Sequence, residues 1–179
     1  FGRELYIERE DYMDNAPNKF KRFSIGREVR LRGAYCVTCN AVEKNKEGNI
    51  KQIICTYDPD TLGANPVDGR KVKGIVHWTS VKQSTEAEIR LYDRLFTHEN
   101  PLKNQERDYE SRTNFKENYN DIINPNSLKI IKAQIELSLL DAKIGDRFQF
   151  ERVGYFCVDL DSTKEAPVFN RTITLRGSK

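Results

Sequence analysis

Apolar and polar residues alternate with a period of two along most of this chain, the pattern of half-buried β-strands. Glu4-Leu5-Tyr6-Ile7-Glu8 alternates in this way. Residues 27–43, REVRLRGAYCVTCNAVE, form a long β-rich run, in which Gly33 predicts a bend or bulge. Gly48-Asn49, at the end of KNKEGN (44–49), predicts a hairpin turn with IKQIICTY (50–57) as the return strand. Further strands are predicted over 72–81, 87–96 and 128–137. SLLDAKIGD (138–146) predicts one helical turn ended by Gly145, and strands over 147–160 and 167–177 close the chain. No 3.6-residue period is sustained and no internal repeat is evident. About eight short strands with turn residues between them predict an all-β fold, a barrel or a pair of barrels.

Two stretches interrupt the alternation. DPDTLGANPVDGRK (58–71) is a loop rich in Pro, Gly, Asp and Asn, longer than a plain connection, and its length predicts a role. Residues 97–127 are polar, with few aliphatics before Ile122-Ile123. They predict a surface loop with a short helix, or partial disorder.

Composition narrows the class. A chain of 179 residues can form one large domain or two small ones with a real core. Charged residues make up 32% and hydrophobic ones 37%, as in a soluble globular protein. The formal net charge is only +3, so any nucleic-acid site must come from local placement of Lys and Arg. No run of 18 apolar residues predicts a membrane span, and no secretory leader is visible. The chain begins at Phe1, which predicts a fragment of something longer. Cys36, Cys39, Cys55 and Cys157 are then expected to be reduced thiols of a cytoplasmic protein.

Catalytic and metal chemistry find little support. Cys36-Val37-Thr38-Cys39 is a CxxC, but tetrahedral zinc needs a second pair of ligands, and only His77 and His98 accompany two isolated cysteines. A redox CxxC belongs at a helix start, not inside a β-run, so these cysteines are expected to be structural. Asp58-Pro59-Asp60 is expected to form a turn, and His77-Trp78 to sit inside an apolar strand. GxSxG, P-loop, GxGxxG and HExxH are all absent from the sequence. No catalytic residue and no metal site is predicted.

The basic residues say more. Lys19, Lys21, Arg22 and Arg27 crowd before Arg30 and Arg32, with Phe20, Phe23 and Tyr35 between them. In an extended strand, Val29 and Leu31 share one face, and Glu28, Arg30 and Arg32 share the other. Two neighbouring guanidiniums repel unless an anion or an acceptor lies between them. Guanidinium beside aromatic surface on a sheet suits single-stranded RNA, whose bases stack on flat groups while forked donors read their edges. The alternative is an ordinary solvated strand face. Phe148-Gln149-Phe150-Glu151-Arg152 offers a second candidate. The two Phe share a face and Gln149 points opposite, while a bend at Val153-Gly154 would turn Arg152 toward Gln149. An amide and a guanidinium at one spot could discriminate a base; a salt bridge of Arg152 with Glu151 or another acid is the alternative.

FKRFSIGREVRLRGAYC, ICTYDPDTLGANPVDGRKVKGIVHW, EIRLYDRLF, NPNSL, FQFERVGYFCVD and PVFNRTITLR together resemble the C-terminal anticodon-binding region of the bacterial-type glutaminyl-tRNA synthetases. The likeness runs in order from about residue 4 to 176, nearly the whole chain. Glutamyl-tRNA synthetases of eukaryotic and archaeal type share this architecture, and a ribosomal-protein-like RNA-binding barrel is the reading outside the synthetases. The resemblance implies two β-barrels similar to that of a 5S-RNA-binding ribosomal protein. A distal barrel would span residues 17–92, and a discontinuous proximal one 1–16 plus 93–179, incomplete at its N-terminal side. It also implies a parent class I ligase that joins glutamine to its tRNA using ATP in a separate catalytic body. This chain lacks the adenylation motifs, so it is expected to bind the tRNA anticodon loop and to need no cofactor itself, with no role for DNA or membrane.

The resemblance also implies site residues. Arg30 and Arg32 match the arginine pair serving the first anticodon base. Lys21 and Arg22 match the basic pair assigned to the third base. Gln149 and Arg152 match the Gln and Arg used at the middle base, and Arg176 matches a tRNA-contacting arginine near the C-terminus. Lys19 stands where the family often has Gln. The stretch 97–124 is longer here than in the bacterial pattern.

Overall fold

The computed structural model describes residues 1–97 and 122–175. Most of the polar stretch 97–127, and Arg176, lie outside the described residues. The chain divides into two compact units, Phe1–Ser84 and Thr85–Lys179.

In the first unit, β1 (Leu5–Tyr6) pairs antiparallel with β6 (Thr79–Ser80). A four-stranded sheet has the order β4-β3-β2-β5, built from β2 (Glu28–Leu31), β3 (Cys36–Lys44), β4 (Ile50–Asp58) and β5 (Ile75–Val76). β2–β3 and β3–β4 are antiparallel, whereas β5 runs parallel to β2. The alternation in β2 is realised: Val29 and Leu31 are each only 1% exposed, while Glu28 and Arg30 are half-buried on the other face. The core gathers Tyr12, Phe23, Val29, Leu31, Ala34, Val37, Cys39 and Val76. Gly33 marks the expected bend, with φ of +67°, and the Leu31 N–H donates to the Tyr35 carbonyl across the turn at 2.9 Å. The β3–β4 hairpin turns at Asn45–Asn49, where the Asn45 side-chain oxygen accepts the Glu47 and Asn49 N–H groups at 3.1 and 2.8 Å.

The strand expected over 72–81 is broken. β5 and β6 hold two residues each, with His77 and Trp78 between them. The cause is a change of partner: β5 extends the edge of β2, then the chain crosses to pair with β1. Asp58-Pro59-Asp60 forms the expected turn. Its Asp58 carboxylate accepts the Asp60 N–H at 3.1 Å. Thr61, fully buried, donates its hydroxyl to the Asp58 carbonyl at 2.7 Å and accepts the Cys36 N–H at 2.9 Å. Cys36 and Cys39 are both buried, and all four cysteines are free thiols.

The second unit holds β7 (Ser84–Tyr92), β8 (Leu128–Glu136), β9 (Arg147–Phe150), β10 (Gly154–Val158) and β11 (Val168–Thr174), in the order β8-β7-β11-β10-β9. β9, β10 and β11 pair antiparallel in sequence, and β11 pairs parallel with β7. Phe148 and Phe150 face the core while Arg147 and Gln149 are exposed, as the alternation requires. The Phe150 ring stacks on Phe156 at 4.2 Å, with Phe169 5.5 Å from Phe150. The expected helical turn is a 3-10 turn at Leu137–Asp141.

The fold is all-β, as expected. The division between units follows strand pairing and differs from the boundaries the resemblance implies. Residues 1–16 join the first unit, through β1–β6 and through the Phe23 N–H, which donates to the Asp11 carbonyl at 2.8 Å. β7 joins the second unit through β11.

Candidate nucleic-acid interface

The first basic cluster is shaped by a single side chain. Arg27, just before β2, donates to the carbonyls of Ala16 at 2.5 Å, Pro17 at 3.1 Å and Phe20. It staples 16–20 into a fixed curl, closed by the Phe20 N–H on the Pro17 carbonyl at 2.9 Å. Lys21 reaches back to the Asn18 carbonyl. Arg22 is held by the fully buried carboxylate of Asp11 at 3.2 Å, and its guanidinium lies 5.9 Å over the Phe20 ring.

Residues 71–74 close on this curl. A Cβ at Gly74 would sit 2.1 Å from the Lys21 carbonyl oxygen, so only glycine allows the approach. The Gly74 carbonyl accepts the Arg30 N–H at 2.8 Å, which ties the segment to β2. Between the two segments lies a cleft of about 310 Å³. Its walls carry Lys21, Arg22, Arg27, Lys71 and Lys73, the Phe20 ring, and one acid, Glu28. That acid is already engaged. Arg70 grips Glu28 with two hydrogen bonds of 2.8 Å, and also binds Asp58 at 2.5 Å and Asp68 at 2.7 Å. Glu28, then Asp58 and Asp68, hold the Arg70 guanidinium well above its ordinary range. Hydrogen bonds from the Arg70 backbone and side chain hold the Asp68 carboxyl below its own. A cleft with surplus cations, forked donors and an aromatic wall suits a phosphate joined to a flat ring.

Of Arg30 and Arg32, expected as strand neighbours, only Arg30 lies within β2. Arg30 donates to the carbonyls of Thr61 at 2.9 Å, Ala64 at 2.7 Å and Ala34 at 3.4 Å, and so fixes the 59–64 segment to β2. Arg32 leaves the strand for the turn after Leu31 and is exposed. Its carbonyl accepts the Trp78 indole N–H at 2.9 Å. Carbonyl acceptors within the fold thus take up the Arg30 guanidinium. An aromatic cluster lies in the same unit: Tyr35 is 4.9 Å from Phe1 and 5.2 Å from Tyr57, and Trp78 is 5.8 Å from Phe1.

In the second unit, Gln149 is exposed on β9, opposite Tyr155 of β10. The turn spans 151–153, closed by the Val153 N–H on the Phe150 carbonyl at 3.0 Å. Arg152 itself takes the left-handed backbone, with φ of +64°. Such a conformation is uncommon outside glycine and concentrates at functional sites. Gln149 and Arg152 thus lie at one end of one hairpin, three residues apart. Lys19 is exposed within the stapled curl; Arg176 is outside the described residues.

Lys71, Lys73 and Arg70 were not singled out by sequence reasoning. DGRKVKG is a visible basic cluster within the long loop, but its place opposite Lys21 and Arg22 depends on the parallel β2–β5 pairing.

Two family models with the same description, tRNA synthetases class I (E and Q), anti-codon binding domain, match residues 1–58 and 75–159. The chain is 50% identical over 179 residues to a glutamine–tRNA ligase of Vibrio cholerae serotype O1, covering 99% of this chain and 30% of the relative. It is 51% identical over 178 residues to the glutamine–tRNA ligase of Alteromonas mediterranea, covering 98% and 30%. It is 50% identical over 177 residues to that of Aliivibrio salmonicida, again covering 98% and 30%. The chain spans about 30% of the length of the curated relatives it matches. Two matched segments with one description, on an all-β frame bearing a cationic cleft, place this chain among the anticodon-binding domains of the class I tRNA synthetases for E and Q.

Proposed function

We propose that this chain reads the anticodon loop of a glutamine tRNA, as the C-terminal part of a cytoplasmic glutamine–tRNA ligase. The rest of that ligase supplies the catalytic body, which uses ATP to join glutamine to the tRNA. In this reading the distal barrel, 17–92, corresponds mainly to the first unit, and the proximal one, 1–16 plus 93–179, mainly to the second. The observation that carries the reading is the cleft between Phe20–Arg22 and Lys71–Gly74, where five cations and an aromatic ring surround a single, already paired acid.

In this reading Lys21 and Arg22 hold the third anticodon base, with Lys19 at the rim. Arg32, exposed in its turn, meets the first base, while Arg30 acts from behind by fixing the 59–64 segment. Gln149 and Arg152 take the middle base at the β9–β10 hairpin, and Arg176 adds a contact to the tRNA. The name shared by the relatives, glutamine–tRNA ligase, supports glutamine over glutamate as the parent's amino acid.

Titration of an anticodon stem-loop against one with a scrambled anticodon tests the reading. Arg152→Ala and Arg32→Ala each lower affinity for the matched loop by about 5- to 150-fold, the range of one lost bidentate base contact, and change the scrambled one little. Equal losses on both RNAs would make these residues phosphate contacts and would overturn the base-reading role.

A further inference from the structure

We propose that Lys71 and Lys73 form a phosphate-gripping wall, a sequence-independent clamp on the RNA backbone facing the wall of Lys21 and Arg22. The inference rests on the RNA-binding reading above and adds a second, differently acting side to its cleft.

Both lysines line the cleft, and both are exposed. Their backbone is tethered on either side. Arg70, immediately before Lys71, is held by Glu28, Asp58 and Asp68. Gly74, immediately after Lys73, is pressed on the Lys21 carbonyl and bound to the Arg30 N–H. The ammonium groups therefore project from a fixed segment, and little backbone order remains to be gained on binding.

Neither lysine makes an ion pair or side-chain hydrogen bond among the described residues. The one acid of the cleft is taken up by Arg70 on two oxygens. Lys21 and Arg27 spend donors on carbonyls, which leaves their charge uncompensated. The cleft thus holds more positive charge than its own walls neutralise, and an anion is the ligand that relieves it.

Chemistry divides the two walls. Arg22 carries a planar fork beside the Phe20 ring, suited to a base edge or face. Lysine offers a compact, rotatable point charge, suited to a phosphate oxygen and carrying no sequence information.

The test is binding of the anticodon stem-loop to the full chain across a series of salt concentrations. In the unaltered protein, log K falls linearly with log salt. K71Q/K73Q makes that slope shallower by about 1.4, ~0.7 for each single-strand phosphate contact released. It weakens matched and scrambled loops equally, and K71R/K73R retains the original slope. The urea midpoint of K71Q/K73Q stays at the unaltered value, because both side chains are exposed. An unchanged slope with normal folding would overturn the inference, and so would a loss confined to the matched loop. Failure of the unaltered chain to bind RNA at all would instead remove the RNA-binding reading, a result distinguishable from either.

Discussion

Arg30 shows how a side chain with an apparent recognition role can be committed to the fold. Its guanidinium serves three carbonyls, two of them in the 59–64 segment. Arg30→Ala is expected to lower the stability of the first unit by about 1.5–3 kcal/mol, the range for hydrogen bonds that involve a charged group. It should also speed proteolysis within 58–71. Arg30→Lys should restore little, since one ammonium cannot span acceptors arranged for a fork. A urea midpoint equal to that of the unaltered chain would contradict this role. Arg152 carries a different constraint, a backbone held at a conformational cost. Its left-handed backbone costs on the order of 1 kcal/mol relative to glycine. Arg152→Gly is therefore expected to hold or raise the urea midpoint while weakening matched stem-loop binding; a lowered midpoint would show that its side chain chiefly supports the turn.

At the scale of elements, the two-residue strand β5 governs the cleft. Its parallel pairing with β2 brings Lys71–Gly74 beside Phe20–Arg22, and Gly74 makes the closeness sterically possible. Gly74→Ala places a methyl 2.1 Å from a backbone oxygen, so one of the two segments must move. The expected result is a lower urea midpoint and a loss of RNA affinity on both matched and scrambled loops, because the opposing walls part. Retained affinity at full stability would show that the walls act separately. Little of this was legible in sequence. Alternation showed that 72–81 is extended, but not that it breaks at His77-Trp78 to serve two different partners. The bend at Gly33 and the hairpin at Gly48 were legible, because a turn is set by the conformational freedom of a few adjacent residues.

Across the whole molecule, each unit carries, among the described residues, an arginine bound to three carboxylates. Arg70 holds Glu28, Asp58 and Asp68 in the first. Arg90 holds Glu88 at 2.7 Å, Asp159 at 3.1 Å and Asp161 at 2.9 Å in the second. The Asp159 carboxyl lies below its usual range, first because it accepts the Asp161 N–H and also because of Asn170 and Arg90. The Asp68 carboxyl is lowered through its bonds to Arg70. A depressed carboxyl adds stability above its unfolded pKa, and loses it as pH falls through the folded one. The urea midpoint is therefore expected to stay level from neutrality to about pH 5 and to fall below about pH 4. Asp159→Asn should flatten part of that fall, and an identical acid profile in the variant would remove the group from the account.

What the sequence by itself determined is local. A period of two made strands, Gly33 and Gly48 made turns, and six blocks of residues pointed to the family that two matched segments then showed. The crowding of Lys21, Arg22 and Arg27 was also legible, since these residues are neighbours along the chain. What only the tertiary structure decided is where each cation stands. Arg30 and Arg32 read alike in one dimension, yet one faces carbonyls from residues 61 and 64 and the other leaves the strand. Lys71 and Lys73 reach Lys21 across about fifty residues of chain through a parallel pairing. Such long-range pairing leaves no periodic trace in the sequence, because its partners are chosen by sheet geometry and a shared core.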